Sequence, residues 1–247
     1  MQRSYVGVTG FMASSEVGMV LGAVPEKPRY SLMVGVLASG KTLRGEPGKW
    51  PGRYPVIGNI ENIFVSDPRA VNLIHYATTD RVNLSDQLNK LVEIAGPRLH
   101  GFQLNICWPN PGDLEGVAKR NMRLVLQIGA KALEQSQSVL GFCELLGAYD
   151  GLITDVLIDP SGGTGQLFDI EAARARLSII REYFPELGFG VGGGLSPETI
   201  DAIAPLVSEF PGLSIDAEGR LRTPQPEDKL DLERAKKYVA RAFQIMA

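Results

Sequence analysis

The chain is poor in the residues that build metal sites and disulfide frameworks. Its 247 residues hold two cysteines, Cys107 and Cys143, and two histidines, His75 and His100. Two cysteines so placed form neither a disulfide framework nor a paired zinc motif, and no histidine–carboxylate spacing reads as a metal site. No metal and no organic cofactor are expected. Charge of one sign is also lacking. The 25 basic and 28 acidic residues are intermixed and leave a net charge of −3, which gives no electrostatic basis for binding nucleic acid or an anionic membrane. No apolar run approaches the roughly 20 residues that span a bilayer. After Arg3 there is only the short run Tyr5 to Val8, where a signal peptide would need a longer apolar core. A reducing, cytoplasmic location is the expectation. Low-complexity segments and short-period repeats are absent too.

What the chain does have is alternation. Short β-rich runs lie at Tyr5–Thr9, Ser31–Leu37, Val71–Ala77, Gly101–Cys107, Arg123–Ile128, Leu152–Asp159, Leu187–Val191 and Gly212–Asp216. Several are continuously apolar, as in strands buried on both faces. Helical patterns fall at Ser14–Ala23, Ile57–Phe64, Ser85–Ala95, Pro111–Lys119, Ala130–Gly147, Ile170–Tyr183, Pro197–Val207 and Asp228–Met246. The last is the clearest, with Leu232, Ala235, Tyr238, Val239, Ala242 and Phe243 on one stripe and lysines and arginines opposite. Eight such units fit one (β/α)8 TIM barrel over residues 1–247 in both count and length, although an open doubly wound sheet shares the periodicity. A homodimer is left open.

The most informative stretch is Asp159-Pro-Ser-Gly-Gly-Thr-Gly-Gln-Leu-Phe-Asp169. It puts a carboxylate at the C-terminal end of a strand, on the rim of a glycine-rich loop, where parallel α/β proteins bind ligands. Just downstream, Phe189-Gly-Val-Gly-Gly-Gly-Leu-Ser-Pro-Glu198 reads as strand, glycine turn and helix start, with Ser196 as N-cap and Pro197 at the first helical position. Backbone amides of that kind suit a phosphate. Gly35-Val-Leu-Ala-Ser-Gly40-Lys41-Thr42 satisfies the P-loop pattern, but Gly45, Pro47 and Gly48 interrupt the helix that must follow. A P-loop nucleotide triphosphatase is therefore the weaker alternative. The long connection 39–55 reads either as a lid or as a surface loop, and Lys41 and Arg44 are its candidate anion contacts.

These motifs resemble phosphoribosylanthranilate isomerase, a (β/α)8 barrel of tryptophan synthesis. The resemblance is carried by the Asp159–Asp169 stretch, by Val191-Gly-Gly-Gly-Leu-Ser-Pro-Glu-Thr-Ile200 and by Leu213-Ser-Ile-Asp-Ala-Glu-Gly219. It implies an acid–base isomerisation of an aminoaldose phosphate without an organic cofactor. Asp159 falls where the acid belongs. Gly192, Gly193, Gly194 and Gly219 fall where phosphate is held, and Thr9 and Asn105 where substrate is oriented. The family's base is a first-strand cysteine, and Val6 stands in that place. Cys107, at the end of the fourth strand, is either a substitute base or inert packing. Asp216 and Glu218 replace small hydroxyl residues; carboxylates there repel phosphate unless they turn away or meet a cation. The expectation is a divergent relative acting on a small phosphorylated sugar derivative. The alternative is a barrel that binds a phosphometabolite or serves as a scaffold without catalysis. His75 and His100 read as structural, and Asp155 as an inward carboxylate needing a partner.

Overall fold

The computed structural model describes residues 3–47, 50, 52–161 and 168–247. Along them run β1 Tyr5–Thr9, α1 Ser14–Leu21, β2 Ser31–Ser39, α2 Gly40–Leu43, α3 Ile60–Ile63, β3 Ala70–Ala77, α4 Leu84–Ala95, β4 Gly101–Leu104 and α5 Glu115–Ala118. There follow β5 Arg123–Gly129, α6 Ala130–Ser136, α7 Val139–Gly147, β6 Asp155–Asp159, α8 Ile170–Tyr183, β7 Gly188–Gly192, α9 Ala204–Glu209, β8 Ser214–Ala217 and α10 Leu232–Ile245. Each strand pairs in parallel with the next, and β8 closes onto β1 through Val6 opposite Ile215 and Val8 opposite Ala217. That closure makes the fold a (β/α)8 TIM barrel and excludes the open sheet. No helix among the described residues is long and apolar enough to cross a membrane.

The helices form where the apolar spacing and the caps agree. Asp231 accepts from Arg234 N at 3.0 Å to start α10, which buries Ala235, Tyr238, Val239, Ala242 and Phe243. Asp169 caps α8 in the same way. The stretch 130–147, expected as one helix, is two. Gln137 takes φ 52, and the Ser138 hydroxyl then accepts from Gly141 N at 3.0 Å to begin α7. Strand β4 stops at Leu104, three residues short of the expected Cys107.

Side chains alternate across each strand, so the core divides in two. Val6, Val8, Val34, Ile74 and Ile215 face the helices with Leu88, Leu91 and Val239. Tyr5, Met33, Leu73, Val125 and Leu157 fill the barrel interior. Strand β7 contributes no side chain to that interior, because its inward positions are Gly188, Gly190 and Gly192. A β-carbon at Gly188 would collide with Asp155; one at Gly190 would lie 3.1 Å from Leu157 Cδ1, and one at Gly192 3.4 Å from Asp159 Cβ. The three inward residues of β6 therefore lean over a strand of glycines.

The lower end of the interior holds a buried ion pair, which supplies the partner that Asp155 needs. Arg123 Nε donates to Asp155 Oδ2 at 2.8 Å and Arg123 Nη2 to Oδ1, while Thr154 Oγ1 adds a bond of 2.7 Å. The guanidinium also reaches the Arg3 carbonyl and lies 4.8 Å from the centre of the Tyr5 ring. A buried pair costs desolvation but is far worse broken than kept. Arg123→Met is expected to destabilise the protein by about 3–5 kcal/mol in urea unfolding, and Arg123→Met with Asp155→Leu to recover most of that loss. A double variant as unstable as the single one would show that the pair does not act as a unit.

Candidate functional site

At the C-terminal end of the barrel the inward positions turn polar. Thr9 of β1, His75 of β3, Gln103 of β4, Gln127 of β5, Asp159 of β6 and Asp216 of β8 form one connected layer. Gln103 Nε2 lies 2.9 Å from Asp216 Oδ2, 3.1 Å from Gln127 Oε1 and 3.2 Å from His75 Nδ1. Gln127 Nε2 donates to Asp159 Oδ2 at 2.9 Å, and Thr9 Oγ1 donates to Asp216 Oδ1 at 3.1 Å. Just past β4, Asn105 Nδ2 is 3.4 Å from His75 Nε2. A cavity opens above this layer. His75, Gln127, Asp159 and Asp216 are its floor, and Asn105, Gly193, Gly194 and Gly219 stand in its wall. Trp50, Arg53 and Tyr54 cover it from the loop after β2.

Asp159 is fixed on both oxygens. Its Oδ1 accepts from Ser161 N at 3.0 Å and from Ser161 Oγ at 2.6 Å, opposite the Gln127 bond. Gly193 passes directly against it: with φ +103, a β-carbon there would lie 2.9 Å from Asp159 Oδ1. Only glycine takes this left-handed turn so close to a carboxylate without strain. Gly194 follows at φ 68. The carboxylate expected on the rim and the glycine turn expected to hold phosphate are thus adjacent.

Asp216 lies deeper. Burial pushes its carboxyl up from 3.8 to about 6, against the opposing hydrogen bonds of Gln103 and Thr9 and the charge of His75, while Glu218 pushes it further up. Room for it comes from β1, where the inward residue is Gly7; a β-carbon there would stand 2.6 Å from Asp216 Oδ1. Glu218 behaves differently. Arg53 Nη1 donates to it at 2.9 Å, and Arg53 Nε donates to Asp228 Oδ2 at 2.6 Å. Of the two strand-eight carboxylates, one is thus tied to a cation and the other sits in the floor. Arg53 and Arg220 bring positive charge to the same rim.

Solved structures share this architecture at low sequence identity. Phosphoribosyl anthranilate isomerase from Thermococcus kodakaraensis superposes with a TM-score of 0.61 at 15% identity, covering 98% of each chain. N-(5'-phosphoribosyl)anthranilate isomerase from Pyrococcus furiosus gives 0.62 at 14%, over 98% of this chain and 99% of that one. 3-Hexulose-6-phosphate synthase from Salmonella typhimurium gives 0.55 at 11%, over 98% of each. At these identities the likeness shows the fold. No family model and no curated protein sequence matches the chain.

The expected site residues fall into three groups. Asp159, Asn105, Gly193, Gly194 and Gly219 meet at the cavity. Lys41 and Arg44 line an adjoining cleft that shares Trp50, Tyr54, Ala77 and Asn105 with it, and Arg44 pairs with Glu46. Thr9 and Gly192 lie behind the cavity surface, Thr9 under Asp216 and Gly192 under Asp159. Two expectations need correction. Cys107 is not at the cavity: β4 has already ended, and Cys107 Sγ contacts Gln135 Oε1 at 3.2 Å. Val6 does not face the site either, since strand alternation turns it to the helices and leaves Gly7 inward.

The P-loop pattern also dissolves. Gly35 lies within β2, packed so closely on Thr9 that a β-carbon would stand 2.9 Å from Thr9 Cα, and β2 runs on to Ser39. Only the single turn α2 follows, capped by Ser39 and Thr42 on each other's backbone. Trp108 is held by Phe142, Tyr149 and the Ala132 carbonyl, on the helical side. His100 Nδ1 accepts from Asn72 N, and burial lowers its pKa. Residues 162–167 of the glycine-rich stretch, and Gly48, Lys49 and Pro51 of the long loop, lie outside the described residues.

Sequence reasoning missed Gln103, Gln127 and Arg53, and it placed Asp216 only as a hindrance. The signal was there for the glutamines: each is a polar residue inside an otherwise mostly apolar strand, at the parity that faces inward. For Arg53 there was none, because its partners are 165 and 175 residues away in sequence.

The position of Asp216 makes stability depend on pH. Its folded pKa lies above the unfolded one, so its contribution is fully present below about 4 and lost as pH rises through about 6. Asp216→Asn is therefore expected to be more stable than the parent at pH 7, by on the order of 2 kcal/mol, and no more stable at pH 4. Urea unfolding at the two pH values measures this. An unchanged pH dependence would place its origin elsewhere.

Proposed function

We propose that this barrel isomerises a small phosphorylated sugar derivative, opening an aminoaldose phosphate to an aminoketose phosphate. Asp159 is the acid that protonates the ring oxygen. The observation that carries the reading is the adjacency of Asp159 to the Gly193–Gly194 turn at one cavity. A phosphate received by the amides of Gly193, Gly194 and Gly219 sets the sugar ring against the carboxyl. Arg220 at the rim faces its charge, Asn105 orients the sugar, and Lys41 and Arg44 take up the remainder in the adjoining cleft. Barrels of similar shape include two named as phosphoribosylanthranilate isomerases and one named as a hexulose phosphate synthase, which agrees with a phosphorylated sugar as ligand. The reading as a binding-only barrel rested on Val6, which lies outside the site.

The test is turnover of phosphoribosylanthranilate, followed by loss of its fluorescence. The wild type is expected to turn it over, with inorganic phosphate competing. Asp159→Asn is expected to lower kcat by roughly 10²–10⁴-fold with little change in KM. No turnover by the wild type, or full activity in the variant, would refute the assignment.

A further inference from the structure

An isomerisation of this kind needs a base as well as an acid, and no thiol lies at the cavity. We infer that Asp216 is the base, working opposite Asp159 across the same cavity floor. The inference rests on the function proposed above and deepens it. Four observations converge on it. Asp216 and Asp159 are joined through two amides, in the order Asp216, Gln103, Gln127, Asp159, which fixes their spacing. Strand β1 presents Gly7 at the inward position, and the Asp216 carboxylate occupies the volume a side chain would fill there. Other acidic groups of this interior and rim are paired, Asp155 with Arg123 and both Glu218 and Asp228 with Arg53, whereas Asp216 has no lysine or arginine partner among the described residues. A carboxylate with only 7% of its surface exposed costs desolvation that the hydrogen bonds from Gln103 and Thr9 offset only in part. Finally, burial has made it a stronger base than an ordinary aspartate, while it remains ionised at neutral pH.

The steps balance. Asp159 gives its proton to the ring oxygen as the C1–O bond breaks, and the nitrogen lone pair forms the C1=N bond of an iminium. Asp216 removes the C2 proton. The C2–H electron pair becomes C1=C2, and the C=N pair returns to nitrogen. The enol then loses its hydroxyl proton as C1 gains one, which leaves the ketone at C2. Exchange with water returns the proton from Asp216 and restores the one on Asp159. No oxidant, reductant or co-reactant takes part.

The titratable groups that face Asp216 are His75 of β3, Glu218 beyond β8, Tyr5 of β1 and Tyr238 of α10. In the wild type kcat/KM is expected to rise with pH on an acid limb with a midpoint near 6, as the base ionises. Asp216→Asn should lose roughly 10²–10⁴-fold in kcat with ribulose 5-phosphate binding retained, as measured by calorimetry. Thr9→Val removes a hydrogen bond to the carboxylate and should move the acid limb upward by about one unit. It also serves as the test if Asp216→Asn does not fold. Wild-type turnover that persists above one-tenth in Asp216→Asn, or an acid limb unmoved in Thr9→Val, overturns the base and leaves the isomerase standing. A folded wild type that turns over no aminoaldose phosphate overturns both.

Discussion

The mouth of this barrel depends on one primary amide. Gln103 projects from the middle of β4 into the interior, and its Nε2 stands within 3.2 Å of groups from β3, β5 and β8. Polar side chains buried this deeply cost stability unless hydrogen-bonded; the Gln103 nitrogen is, while its Oε1 has no partner among the described residues. Through Gln127 the same amide is linked to Asp159 on β6, so the positions of two carboxylates on opposite sides of the glycine strand β7 are set by a short chain of hydrogen bonds. Without that cross-link, Asp159 would keep Ser161 and Asp216 would keep Thr9, but nothing would tie the two carboxylates to each other.

Charge is handled in three ways at three heights. At the lower end, Arg123 and Asp155 form a bidentate pair that sits on the Tyr5 ring, a closed unit with no access to the cavity. At the upper rim, Arg53 ties Glu218 to Asp228, with Arg222 beside it, and so anchors the loop after β2 across β1 to the end of β8. Between them lies Asp216, which receives hydrogen bonds but, among the described residues, no cation. The contrast separates groups that hold the barrel together from one whose placement weakens it.

The overall fold was legible because alternation of strand and helix is a long-range pattern that survives errors of two or three residues at each boundary. The glycine turn after β7 and the carboxylate at the end of β6 were legible for another reason: each is a local motif that carries its own strand and loop. What failed were judgements that turn on single residues. Val6 was placed in the site because a shift of one residue along β1 swaps inside for outside. Cys107 could be offered as a substitute base, beside the reading as packing, because β4 was read three residues too long. Arg53 was invisible because its partners lie 165 and 175 residues away in sequence, whereas the Gln103 network left a signal, a polar residue facing inward from an apolar strand, that was passed over. Gly7 carries no signal of its own in an apolar strand, and only Asp216 beside it on the paired strand β8 reveals what it does.

That glycine has a wider consequence. The inward positions of a closed barrel share one limited volume, so a side chain deleted from one strand is space granted to the next. Strand β7 yields its share to β6, and β1 yields a place to β8. In such a ring the chemical group at a given point in space need not come from a given strand. It can pass to a neighbour while the cavity keeps its place, and a comparison made strand by strand would then register a loss where only the supplier had changed.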